Sequence, residues 1–179
     1  MAKLITPRRE ENLTERAQEY IRVHLLFPSA LLGLILLIAG TMALGYQYLA
    51  DIYGGGTFIY STALFLLGAL AGWGQSRYHR YLLKEAPEYF AGRLRAFASH
   101  DRRFKRKEPV MVVVDHPGRK WVPLWYGLAT AVLVGASSLA TASGHVYAVA
   151  AYLLPWSGFF CSRIYAWREL WGPARAALR

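Results

Sequence analysis

The sequence predicts an all-α integral membrane protein of four transmembrane helices arranged as two hairpins. Three observations carry that prediction. Hydrophobic residues make up 55% of the 179-residue chain, and its mean hydropathy is +0.20 despite a formal net charge of +10. The charge is kept apart from the apolar residues, since four windows contain no Asp, Glu, Lys or Arg: His24 to Ala50, Ile52 to Ser76, Trp121 to Ser143 and Gly144 to Ser162. Each window supplies the roughly 20 apolar residues that a helix needs to cross about 30 Å of hydrocarbon. A soluble core helix of that length would keep a charged face.

The third observation is where the cations fall. Every Lys and Arg lies in the N-terminal segment (Lys3, Arg8, Arg9, Arg16, Arg22), between Arg77 and Lys120, or from Arg163 to Arg179. The links inside the two hairpins, Ala50 to Thr57 and Thr141 to His145, contain none. The positive-inside rule then puts both termini and the connector in the cytoplasm. With arginine used more than lysine, the expected location is a bacterial cytoplasmic (inner) membrane, crossed several times. The chain divides into an amphipathic N-terminal segment (1–27), a first hairpin (28–76), a basic connector (77–121), a second hairpin (122–165) and a cytoplasmic tail (166–179).

Taken in order, Leu13, Ala17, Tyr20, Ile21 and His24 share one helical face, and Asn12 with Glu15 resembles a capping box. This predicts a short amphipathic helix at the cytoplasmic surface, feeding the first span. That span opens at Pro28, a residue tolerated in the first turn because its missing N–H is not needed there. Gly54-Gly55-Gly56 predicts a flexible turn, and Tyr46, Tyr48, Tyr53 and Tyr60 suit the outer boundary. In the second span Gly68 and Gly72 are four residues apart, which clears one helix face for close packing.

After Pro87 the connector carries Phe90, Leu94, Phe97, Asp101 and Phe104 at helical spacing, beside Arg102, Arg103, Lys105, Arg106 and Lys107. An apolar stripe next to such a basic run predicts a helix in the headgroup layer of an anionic leaflet, with those five cations on lipid phosphate. Nucleic acid is not an expected partner, because cations beside a span already serve lipid and topology. Val110 to Val114 and the turn residues Asp115-His116-Pro117-Gly118 predict a short β segment. The third span starts near Pro123 and has Gly127, Ala131 and Gly135 on a second small face, while Ser137, Ser138 and Thr141 can bond back to their own helix. The fourth, about His145 to Tyr165, contains Pro155, which should kink it.

Both halves open on a proline-headed span and close on a Ser-Arg pair, Ser76-Arg77 and Ser162-Arg163, with a proline eleven residues after each serine. The pattern suggests a parallel internal repeat about an axis along the membrane normal. The single Cys161 excludes an intrachain disulfide and reads as a packing residue.

No Ser-His-Asp array, no glycine-rich phosphate loop opening a helix and no closely spaced carboxylate pair within a predicted pocket occurs, so an enzyme is not expected, and no metal or cofactor is required. The span interiors lack ionisable residues, which disfavours an ion-coupled transporter or channel. The expected role is an accessory or scaffolding subunit of a larger membrane complex. Its partners would be other membrane subunits and anionic lipids. The competing reading is a small redox protein binding haem b or quinone through His24 and His79, which flank the first hairpin at equal depth. This topology predicts that a periplasm-active reporter fused at Gly55 is active and that one fused at Lys107 is silent; activity at Lys107 would reverse the orientation.

Overall fold

The computed structural model describes residues 7–90 and 119–170, and within them every regular element is a helix, with no strand. The first helix, α1 (Pro7–Tyr20), passes through a π turn at Ile21–Leu26 into α2 (Phe27–Leu49). The π turn has a local cause. Pro28 has no N–H to give the His24 carbonyl, and its ring crowds that turn. The register slips instead: the Phe27 N–H reaches back five residues to the Arg22 carbonyl, and the Ser29 hydroxyl donates to the Leu25 carbonyl. The amphipathic segment is therefore helically continuous with the span. Helix runs without a break from Pro7 to Leu49, and Thr14–Leu49 alone accounts for 36 residues of it. At 1.5 Å per residue that stretch measures about 54 Å, well beyond the hydrocarbon thickness.

Asp51, at φ 56°, reverses the chain after α2, and the Ile52 N–H bonds the Gln47 carbonyl at 3.1 Å. Then α3 (Gly55–Glu85) begins inside the triple glycine. Only Gly54 is extended, as its N-cap, so the expected flexible turn is corrected to a single capping residue and two helical ones. A Cβ at Gly56 would lie 3.0 Å from His145 Nδ1, which is why a glycine serves in that first turn. A 3-10 turn at Arg119–Trp121 leads into α4 (Val122–Ala142), and a left-handed Gly144 precedes α5 (Ala148–Ala166).

Three helices are long and apolar enough to cross a membrane: Thr14–Leu49, Gly55–Glu85 and Val122–Ala142. The fourth apolar window does form a helix, α5, but Pro155, Trp156, Ser157, Gly158, Ser162 and Arg163 make it too polar for the same test. Position explains this. Ala150, Ala151, Leu154, Pro155, Ser157 and Gly158 are all buried, so α5 is clothed by other helices and needs fewer apolar side chains.

Helix order differs from that of two hairpins. α5 lies between α2 and α3, which hardly touch each other, while α4 rests on α5 and lightly on α3. Gly33 faces Phe160 and Gly40 faces Leu154, so α2 and α5 run antiparallel; Gly68 faces Pro155 and Gly72 faces Phe159, so α3 and α5 run parallel. A faithful duplication would make α4 touch α3 as α2 touches α5, and the packing is unequal there. The connector from residue 91 to 118, with the expected surface helix beyond Phe90 and the β segment at Val110 to Val114, lies outside the described residues.

At the end bearing the two helix links, a polar knot joins the layers. Gln47 and Thr57 are 4% and 2% exposed. The Thr57 hydroxyl donates to the His145 carbonyl at 2.7 Å, Gln47 Nε2 donates to the same oxygen at 3.4 Å, and the Tyr147 N–H donates to Gln47 Oε1 at 3.1 Å. The His145 ring stacks on Tyr60 at 5.0 Å. These bonds satisfy backbone groups where α5 starts, before its helical bonding begins. Thr57→Val is expected to lower stability by about 1 kcal/mol, because it removes the shorter of the two hydrogen bonds to the His145 carbonyl; thermal unfolding in detergent measures this, against an unaltered midpoint for the exposed Thr41→Val.

Candidate functional site

The residues singled out from sequence fall into three groups. Gly68 and Gly72 are buried on α3 against α5. A Cβ at Gly68 would collide with the Pro155 carbonyl oxygen, and one at Gly72 with the Phe159 carbonyl oxygen and Ser162 Oγ. Gly158, not singled out from sequence, returns the relation from the other side, where a Cβ would meet the Phe65 carbonyl oxygen. The two backbones touch along this seam with no side chains between them. Hydroxyls within it are turned inward: Ser76 Oγ donates to the Gly72 carbonyl at 2.8 Å and Ser157 Oγ to the Leu154 carbonyl at 2.8 Å.

The second small face is placed differently. Gly127, Ala131 and Gly135 are all exposed on α4, and nothing lies within 4 Å of where a Cβ would stand on either glycine. Leu124, Trp125, Leu128, Val132 and Leu139 are exposed on the same helix, and Trp121 just before it. Its inner side is held by Leu133, Ser137 and Ala140 and by the Ser138–Tyr152 hydroxyl pair at 2.8 Å. Ser137, Ser138 and Thr141 each bond back to their own helix, as their spacing allows.

His24 and His79 lie at the same end of the bundle, around a cluster that includes Tyr20, Ile21, Leu82, Phe90 and Trp167. His24 is exposed and meets Tyr20 edge-on at 5.0 Å; His79 is half-buried and meets Phe90 edge-on at 6.0 Å; Tyr20 and Phe90 are 6.1 Å apart. Arg102, Arg103, Lys105, Arg106 and Lys107, the expected phosphate ligands, lie outside the described residues.

A different cationic site is present within them. Trp73, Arg77, Arg80 and Lys84 follow one another at helical spacing on α3, and with Trp167 and Leu170 they line a groove of about 610 Å³. Arg77 lies 5.2 Å from the Trp73 ring centre and Arg80 lies 5.5 Å from that of Trp167. Among the described residues no carboxylate pairs with these cations. Trp167 is 3% exposed, and its Nε1 is buried with no partner, at a cost of about 1–3 kcal/mol. The spacing of Trp73, Arg77, Arg80 and Lys84 was visible in the sequence; that the far end of α5 closes a groove over it was not.

Gly68→Ala is expected to cost about 3 kcal/mol, the upper end of overpacking, because the obstacle is a backbone carbonyl that cannot rotate away. Gly127→Ala should stay within about 0.5 kcal/mol of the parent, having open space around it. The same detergent melt distinguishes the two, and equal midpoints would refute the seam. No family model matches the chain, and neither curated proteins nor solved structures show significant similarity to it.

Proposed function

We propose that the chain is an accessory or scaffolding subunit of a larger complex in a bacterial cytoplasmic membrane, with four crossings and both termini in the cytoplasm. One observation carries the reading: α2, α3 and α5 bury Gly33, Gly40, Gly68, Gly72 and Gly158 against one another, whereas α4 leaves Gly127, Ala131, Gly135 and a flank of large apolar residues uncovered. Lipid chains can cover large apolar side chains, but a small-residue groove gains most from another helix, whose backbone can approach it closely. The fourth crossing is supported by α5 lying alongside α2 from Gly33 to Gly40 and alongside α3 from Gly68 to Gly72, two helices that are each long and apolar enough to span.

The orientation is supported by charge. Arg16, Arg22, Arg77, Arg80, Lys84, Arg163 and Arg168 all belong to one end of the bundle, and the opposite end carries the uncharged knot of Gln47, Thr57, His145 and Tyr147. Cations at the first end rest on rings, as Arg163 does on Phe159 at 5.6 Å and Arg168 on Tyr165 at 4.5 Å, an arrangement suited to a headgroup layer. Extraction from native membranes in mild detergent is expected to bring other membrane chains with this one. Gly135→Ile should abolish that co-purification while leaving the stability within about 0.5 kcal/mol of the parent, since no described residue lies within 4 Å of a Cβ at that position; an unmixed monomer from native membranes would overturn the proposal.

A further inference from the structure

We propose that the groove between the C-terminal turns of α3 and the end of α5 binds one phosphate-bearing lipid of net negative charge, headgroup on Arg77, Arg80 and Lys84 and acyl chains along α3. The inference rests on the membrane reading above and deepens it by locating a specific lipid site. Its basis is a continuous stripe. Leu66, Leu70, Trp73, Arg77, Arg80 and Lys84 are separated by four, three, four, three and four residues, so they form one line along the helix. Leu66 and Leu70 are 54% and 64% exposed, Trp73 is 50% exposed, and the cations follow. The order apolar, aromatic, cationic matches the order of a lipid from its chains to its phosphate.

Depth agrees with this. Arg77 stands 22 residues after Gly55 in an unbroken helix, about 33 Å along its axis, where a chain that enters hydrocarbon near Gly55 leaves it again. The groove thus opens at the headgroup layer and not in bulk water. Three cations with no carboxylate partner among the described residues favour a phosphodiester that brings no ammonium of its own over a zwitterionic headgroup. The wall opposite α3 is Ala166, Trp167 and Leu170, so the site exists only where the two helices meet. The ring of the buried Trp167, whose indole N–H has no partner among the described residues, holds the Arg80 guanidinium at this wall. A soluble phosphate would use the cations but not the exposed leucines below them.

The test uses the full chain purified in mild detergent and followed by native mass spectrometry during titration with phosphatidylglycerol, phosphatidylcholine of the same acyl chains, or inorganic phosphate. One phosphatidylglycerol is expected to be retained at low molar ratio, with phosphatidylcholine weaker by about tenfold or more and inorganic phosphate unable to displace the bound lipid. Arg80→Gln with Lys84→Gln should weaken phosphatidylglycerol by at least about tenfold. Arg80→Lys, which keeps the charge, should stay close to the parent, guarding against a loss caused by misfolding. Equal retention of the two lipids, or no effect of the double variant, would overturn the proposal; displacement by inorganic phosphate would reassign the groove to a soluble anion and equally defeat it. Failure of the scaffold reading is separate: an unmixed monomer that still selects phosphatidylglycerol leaves the lipid site standing, and an assembly without lipid selectivity removes the lipid site alone.

Discussion

The architecture depends on one contact, the backbone-to-backbone meeting of α3 and α5 at Gly68, Gly72 and Gly158. Inside a bilayer, exclusion of water cannot drive helices together, because lipid tails solvate leucine as well as another helix does. What remains is packing, and packing is densest where side chains are missing. Glycines on both partners let the carbonyls of Phe65, Pro155 and Phe159 lie against the facing helix, and that proximity makes α5 the centre of the bundle. Pro155 contributes here without ending the helix. It sits on the buried side, and its own carbonyl occupies the space that Gly68 leaves.

Once α5 is central, the two ends of the molecule acquire distinct characters. At the link end, Gln47 and Thr57 bond the backbone at His145 and Tyr147, tying the start of α5 to the turn between α2 and α3 with uncharged groups. At the other end α3 outruns the bilayer, and its arginines settle on tryptophans beside the last turn of α5. A helix only as long as the hydrocarbon would have ended before Arg77. The excess length of α3 thus creates the cationic groove, and the position of α5 gives it a second wall. α4 stands apart from this scheme. It is fastened along Leu133, Ser137 and Ala140 and leaves its remaining surface outward.

Much of this was legible from residue order. The helical character of the chain and its charge segregation follow from composition, because uninterrupted apolar windows have few other ways to satisfy their backbone. The notch at Gly68 and Gly72 was visible from spacing, but the same spacing at Gly127 and Gly135 marks an uncovered face, and sequence draws no distinction between the two. Gly158 and Pro155 were unreadable as partners of Gly68, since ninety residues separate them and only packing brings them together. The π turn before Pro28 was also hidden: a proline in that position ordinarily starts a helix, and the slip depends on α1 continuing into it.

The amino-acid sequence alone determined where the chain is apolar, which end of each helix carries charge, and that no Asp, Glu, Lys or Arg lies within the apolar windows, because these are properties of residues counted along a line. Tertiary structure decided which helix lies between which. α2 and α3, neighbours in sequence, are separated by α5, because the deepest grooves on both face it and van der Waals contact rewards the closest fit whatever the chain order. The same packing decided that the cations of α3 face an aromatic wall rather than open water, a juxtaposition of residues ninety positions apart that no local pattern encodes.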